Sequence, residues 1–195
     1  DKERANNEIP HIESDRLTIK ILEPSSAQLV LDYLVKNKKY VESWIPIRSS
    51  DYYTIQFQRK KLGNFLELYT SGKEFRFYIF LKNDMTKVIG DLSFFNFVKG
   101  AFWSCFMSYA IDKEHSGNGY IAEAVKRGMK YMMTVQNVHR IAASVMPENK
   151  RSVKVLERCG FELEGSAKEY LKINGAWRDH NHYAIRNSKW KDQSV

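Results

Sequence analysis

Three runs, "FRFYIFL" (75–81), "VIGDLSFFNFV" (88–98) and "FWSCFMSYAI" (102–111), follow one another and are rich in aromatic and β-branched residues. Asn83-Asp84 and Lys99-Gly100 punctuate them, so the pattern predicts an antiparallel meander of three strands. The chain then reads "EHSGNGYIAEAV" (114–125), with Gly117 and Gly119 one residue apart. Ile121, Val125, Met129 and Met132 recur behind them at helical spacing, which predicts a helix from Gly119 to about Thr134.

The flanks complete an α/β order. "DRLTIKIL" (15–22) alternates Leu17, Ile19 and Ile21 with polar residues, as a half-buried strand does. Ser25 or Ser26 can cap a helix carrying Leu29, Val30, Tyr33 and Leu34, and Pro46 breaks what reaches "SWIPIR". Residues 52–71 form a second helical candidate through Ile55, Leu62, Phe65 and Leu66. "HRIAASVM" (139–146) reads as a strand, and "NKRSVKVLERCGF" as a short helix closed by Gly160. Asn174-Gly175 marks a hairpin in the tail. No repeat or linker interrupts the chain. The expected division is an N-terminal extension (1–11, disorder allowed), one domain (12–190) and a short tail (191–195).

Composition narrows the function classes. No apolar run approaches the roughly 18 residues of a membrane span, and "DKERANNEIP" lacks the apolar core of a signal peptide, so the expectation is a cytoplasmic protein. Cys105 and Cys159 stand apart without metal-type spacing; buried free thiols and no metal are expected. Lys and Arg number 31 against 23 Asp and Glu, a formal charge of +8, which suits an anionic ligand without naming it.

A glycine pair by itself signals little, since glycine also serves any turn that needs a positive φ. This one lacks the third glycine and the later acidic residue of a dinucleotide fingerprint, and no G-K-[ST] ends it as a phosphate-binding P-loop would. Its setting is more telling. The loop leaves a strand at Tyr109-Ala110-Ile111 and opens a long helix, so amides of residues 116 to 120 converge at the positive end of the helix dipole. A diphosphate fits there.

On these residues the chain resembles the GCN5-related N-acetyltransferases (GNAT). "SYAIDKEHSGNGYIAEAV" is similar to their acetyl-CoA-binding motif, and "NKRSVKVLERCGFELEG" to a second signature starting at Asn149. "SWIPIR", "VKGAFWSCFMSYAI", "VHRIAASVMPENKRS" and "YLKINGAWRDH" resemble the branch that acetylates ribosomal-protein alanine N-termini (RimJ/RimL type). The likeness spans about residues 12 to 190. Glu114 departs from the pattern, which often has Gln or Arg there; it is expected to turn outward while backbone donors hold the anion.

The resemblance implies a mixed, mostly antiparallel sheet with helices on both faces and two central strands, 102–111 and 139–146, splayed in a V. Acetyl-CoA would lie against Ala110, Ile111, Ser116, Gly117, Asn118, Gly119, Tyr120, Ile121, Ala122, Asn149, Ser152 and Val155. Backbone of Tyr109 to Ile111 would bind the pantetheine arm, and a strand amide there would support the oxyanion. Ser152 is expected beside the departing sulfur, with Tyr109 ranked below it as an acid; Asn149 also reads as a plain N-cap. Trp44, Arg48, Phe75 and Phe77 are candidates for gripping the acceptor across the sheet, as is Tyr109, against the prior that aromatics pack cores. Asp179 and His180 point to opposite faces and read as structural, with Asp179 bonding neighbouring backbone.

No general base is obvious. An α-amine of pKa about 7.7–8.0 is roughly a tenth neutral at pH 7, whereas lysine near 10.4 is under a thousandth neutral. A protein N-terminus is therefore the expected acceptor, on a ribosomal protein beginning with Ala or Ser, by direct attack in a ternary complex. The positive surface would allow nonspecific rRNA contact. A small amine such as a polyamine or antibiotic, or a ribosome-assembly role on the same fold, are the rival readings. The protein would act as a monomer or homodimer.

Overall fold

Alternation along each strand decides which side of the sheet a residue joins. In the computed structural model, which describes residues 9–192, eight strands form one sheet in the order β1-β2-β3-β4-β5-β6-β8-β7. They are β1 (His11–Glu13), β2 (Leu17–Lys20), β3 (Phe75–Leu81), β4 (Gly90–Val98), β5 (Ser104–Ile111), β6 (Arg140–Val145), β7 (Glu162–Ile173) and β8 (Ala176–Arg186). All neighbouring pairs are antiparallel except β5 and β6. The predicted meander is β3-β4-β5. The short edge strand β1 was not anticipated; it starts at His11, inside the expected extension. Residues 1–8 and 193–195 of the two expected end segments lie outside the described residues.

Among the described residues four α-helices cover the sheet. Helix α1 (Ala27–Val41) and α2 (Ile55–Thr70) pack on one face through Val30, Tyr33 and Leu62 against Tyr78, Phe80 and Val88. Ser26 occupies the N-cap of α1 without a side-chain bond, whereas Thr54 caps α2 by accepting from Phe57 N–H. Helix α3 (Tyr120–Thr134) and α4 (Lys150–Arg158) lie on the other face. There Ile121, Ala124, Val125, Met129 and Met132 meet Phe75, Phe77, Leu92, Phe94, Cys105 and Met107 in the main core. Gly128 lets α3 come close, because a Cβ there would stand 2.5 Å from Leu92 Cδ2. Both cysteines are free and buried.

One break in the sheet matters for function. Strands β5 and β6 pair at Ser104–Arg140, Cys105–Ile141 and Phe106–Ala142, and no further. Both strands run on, to Ile111 and Val145, so a gap opens between them. Asp112 N–H donates to the Ile89 carbonyl at 2.7 Å, in register with the β4–β5 ladder. That sets Ser108 and Ala110 as the residues bonded to β4 and turns the amides and carbonyls of Tyr109 and Ile111 toward the gap. On the far side, Asn187 N–H donates to His139 O at 2.7 Å, which by the same parity turns the Ser144 main chain to the gap.

Candidate active site

The α3 side of the gap is built from main chain. Gly117 and Gly119 take φ of +88° and +81°, values side chains resist, and so let the loop double back into the helix. The amides of Gly117, Asn118, Gly119, Tyr120, Ile121 and Ala122 make no hydrogen bond among the described residues. Six donors in sequence at a helix N-terminus fit the diphosphate of a coenzyme A carrier. Two details differ from the expectation. Ser116 N–H is taken by Lys113 O at 3.3 Å, so that amide is not among the free donors. The Ile121 side chain is a core residue, leaving only its amide to the site.

Charged side chains brace this loop. Arg16 donates from Nη1 to Asn118 O at 3.1 Å and from Nε to Glu123 at 2.7 Å, and its guanidinium lies 4.5 Å from the Tyr120 ring centre. Glu123, in the first turn of α3, also accepts from Ser14 Oγ at 2.7 Å. Burial pushes its carboxyl up, but the bonds from Ser14 and Arg16 hold it below its ordinary value. Arg16 thus neutralises a carboxylate that would otherwise stand near the anion site. Glu114 turns outward as expected, to Lys36 at 2.7 Å, and Lys36 also holds the buried Asp112 at 2.8 Å. Tyr40 on α1 reaches Ser116 Oγ at 3.4 Å and accepts from Arg151 at 3.1 Å, linking loop to α4. Arg16, Lys36, Tyr40 and Arg151 were missed because no local pattern ties them to the loop.

Helix α4 meets the gap from below. Asn149 caps it, its Oδ1 accepting from Ser152 N–H at 3.2 Å. Ser152 O accepts from the Tyr109 hydroxyl at 2.9 Å, while Ser152 Oγ has no partner among the described residues. Burial raises the Tyr109 phenol well above its ordinary pKa. With its proton already donated to a carbonyl, Tyr109 is poorly suited to the acid role. Ala110 is also revised: its main chain bonds to β4, so Tyr109 and Ile111 present the free backbone instead. Val155 is half-buried on α4 against the core.

The opposite face is open. There α1 and α2 cover β2 to β4 and leave Phe106, Ser108, Ala142, Ser144 and His182 as a floor beside the gap. Ser144 Oγ lies 2.9 Å from His182 Nδ1, and Tyr170 stands edge-on to the His182 ring at 4.5 Å between centres. Sequence reading passed over this pair, since its members are 38 residues apart. The β7-β8 hairpin leans over the floor: Asn174 N–H donates to Ile45 O at 3.1 Å. Trp44 and Arg48 are exposed on the segment that the hairpin meets. Phe75 and Phe77 are not acceptor residues. Their side chains point to the α3 face, 3% and 0% exposed, and pack on Tyr131. Tyr109 faces that way too. Asp179 bonds backbone as expected, accepting from Glu169 N–H at 2.9 Å, and His180 is buried with Nδ1 on Arg178 O.

A sheet split between two strands, with a bare anion-binding helix start on one face and an open floor on the other, defines an acyl-carrier transferase fold. Comparison with known proteins makes the family definite. Residues 16–162 match the acetyltransferase (GNAT) domain model, and the chain belongs to that family. It is 35% identical over 187 residues to the [ribosomal protein uS5]-alanine N-acetyltransferase of Escherichia coli, covering 96% of each chain. The crystal structure of ribosomal-protein-S5-alanine acetyltransferase from Vibrio fischeri superposes with a TM-score of 0.90 at 33% identity, covering 94% of this chain and 100% of that one. Mycobacterium smegmatis RimJ, solved in complex with CoA-disulfide, does so at 0.84 and 25%, covering 94% and 89%. The chain is therefore an acetyl-CoA-dependent N-acetyltransferase. No helix among the described residues is long and apolar enough to cross a membrane.

Proposed function

We propose that the chain acetylates the N-terminal α-amine of a ribosomal protein beginning with Ala or Ser, by direct attack in a ternary complex. The observation that carries this reading is the gap itself, lined by unpaired backbone and open to both faces, so that donor and acceptor can meet without sharing a route. The names of the E. coli and V. fischeri relatives support the choice of acceptor.

Acetyl-CoA, when bound, supplies the acetyl group as an activated thioester. The free amides from Gly117 to Ala122 hold its diphosphate, and the backbone of Tyr109 and Ile111 pairs with the pantetheine arm like an added strand. The Tyr109 amide is placed to stabilise negative charge growing on the carbonyl oxygen, a contribution of about 3–4 kcal/mol where measured elsewhere. Ser152 Oγ, without a partner of its own, hydrogen-bonds the departing sulfur; an unactivated hydroxyl stabilises a thiolate better than it protonates one. Asn149 and Val155 flank that sulfur from α4. On the other face Trp44 and Arg48 hold the acceptor chain. The Ser144–His182 pair takes the proton the amine gives up as its nitrogen bonds carbon and the carbon–sulfur bond breaks. Net positive charge favours approach to ribosome-bound substrate through rRNA phosphates.

The test is a peptide panel of Ala- and Ser-starting N-termini against lysine side chains and polyamines. The expected result is acetylation confined to the two N-termini. Turnover on polyamines with none on peptides would overturn the assignment.

A further inference from the structure

Beside the acceptor floor lies a cluster whose charges do not balance. Lys61 on α2 is half-buried, its Nζ donating to the Tyr52 hydroxyl at 3.0 Å and standing 4.4 Å from that ring's centre and 5.3 Å from that of Phe65. The Arg48 guanidinium lies 4.9 Å from the same Tyr52 ring. Neither cation has a carboxylate partner among the described residues. Arg76 differs, because it is shared between Glu74 at 3.4 Å and Asp91 at 3.3 Å. Directly opposite Arg76 in register, one strand nearer the gap, sits Ser93. It is fully buried, and its Oγ has no hydrogen-bond partner among the described residues. Two cations held side by side on one aromatic ring without a carboxylate between them leave a place where an anion would be favoured.

We propose that Arg48 and Lys61 form a subsite for a carboxylate side chain carried by the acceptor peptide within its first few residues. This inference rests on the acceptor reading above. The spacing agrees with it. From β5, at the gap, to Arg76 on β3 is two strand spacings, roughly 10 Å. An extended peptide covers that distance in about three residues. A carboxylate accepts from an ammonium and a guanidinium together, and the aromatic platform of Tyr52 and Phe65 removes competing water.

The protonation of Lys61 is consistent. Burial, then the charges of Arg76 and Arg48, push its amine down to about 8, against the smaller opposing pull of Asp91 and Glu74. Those groups, with the rings of Tyr52 and Phe65, are what face it from α2, the α1–α2 connection and the sheet. An arriving carboxylate would raise that value.

The experiment uses the full chain saturated with acetyl-CoA and Ala-starting peptides carrying Glu or Gln at positions two to five in turn. At one position the Glu peptide should show about tenfold higher kcat/KM than its Gln twin, chiefly through KM, equivalent to about 1.4 kcal/mol. In Lys61→Met the ratio should fall to about one, and Lys61→Arg should restore it. A ratio of one at every position in the wild type, or a preference untouched in Lys61→Met, would overturn the proposal. The Lys61 ammonium titration, followed by NMR with CoA present, gives a readout independent of turnover. It should move upward with the Glu peptide and not with Gln. If no peptide is acetylated, the acceptor reading fails. In that case an upward move with Glu keeps the subsite, and an unmoved titration removes it.

Discussion

The two faces of the sheet at the gap are built on opposite principles. On the α3 face the groups left free at the gap are main-chain amides, and the side chains around them are core: Ile121, Val125, Phe77, Met107. On the α1–α2 face the polar groups around the gap are side chains from scattered elements, and Arg48 and Lys61 among them have no carboxylate partner among the described residues. The first arrangement suits one invariant ligand, such as a diphosphate carrier whose shape never changes. The second can change its acceptor by changing a few side chains without touching the fold.

The sharpest way to break this contrast is to put a side chain into the main-chain face. Gly119→Asp imposes a carboxylate beside the free amides and a strained φ of +81°. Acetyl-CoA affinity should fall on the order of 100-fold, about 2.8 kcal/mol. The rise in Tm that acetyl-CoA gives the wild type should vanish at matched concentration. An unchanged thermal shift would show that the loop does not hold the carrier.

Ser152 lies where the two principles meet, and its substitution sharpens the contrast. Ser152→Ala keeps the amide that Asn149 caps and the carbonyl that Tyr109 bonds, removing only the hydroxyl. Turnover should drop about tenfold, the value of a hydrogen bond to a charged sulfur, with the affinity for acetyl-CoA unchanged. Isothermal titration beside steady-state kinetics separates the two quantities. Equal turnover would leave Ser152 as a first-turn residue and nothing more.

The same contrast explains what could be read in the chain before it was folded. The α3 face was legible because its signals are local: the glycine pair, the helical period behind it and the capping Asn149 are each carried by a short stretch of chain. Strand runs and the Asn174-Gly175 turn were legible for the same reason. Strand β1 was not, since three residues carry too little period to register. Phe75 and Phe77 read as acceptor candidates because sequence shows that alternate residues separate but not which set meets α3. Arg16, Lys36, Ser144 and His182 act through partners 107, 76 and 38 residues away, and no window of sequence contains such pairs. Long-range pairing is what the fold itself decides.

The smallest effect concerns stability rather than catalysis, and it tests whether the side-chain face is kept for a ligand. In the folded chain the Lys61 amine sits at about 8, below its unfolded value near 10.4. As pH falls from above 10.4, the unfolded chain takes up the proton first, so folding loses stability down to about pH 8 and stays penalised below it. Lys61→Met keeps the apolar contact with Tyr52 and Phe65 but removes that penalty. It should therefore stabilise the protein at pH 7 by about 1 kcal/mol, raising Tm by about 2–4 °C. The gain should shrink as pH rises from 8 toward 10.4, where the wild-type amine is neutral in both states. A lower Tm in the variant would mean instead that Asp91 and Glu74 need Lys61 as a counter-charge. Lys61 would then belong to the scaffold, and the contrast between the two faces would lose its clearest case.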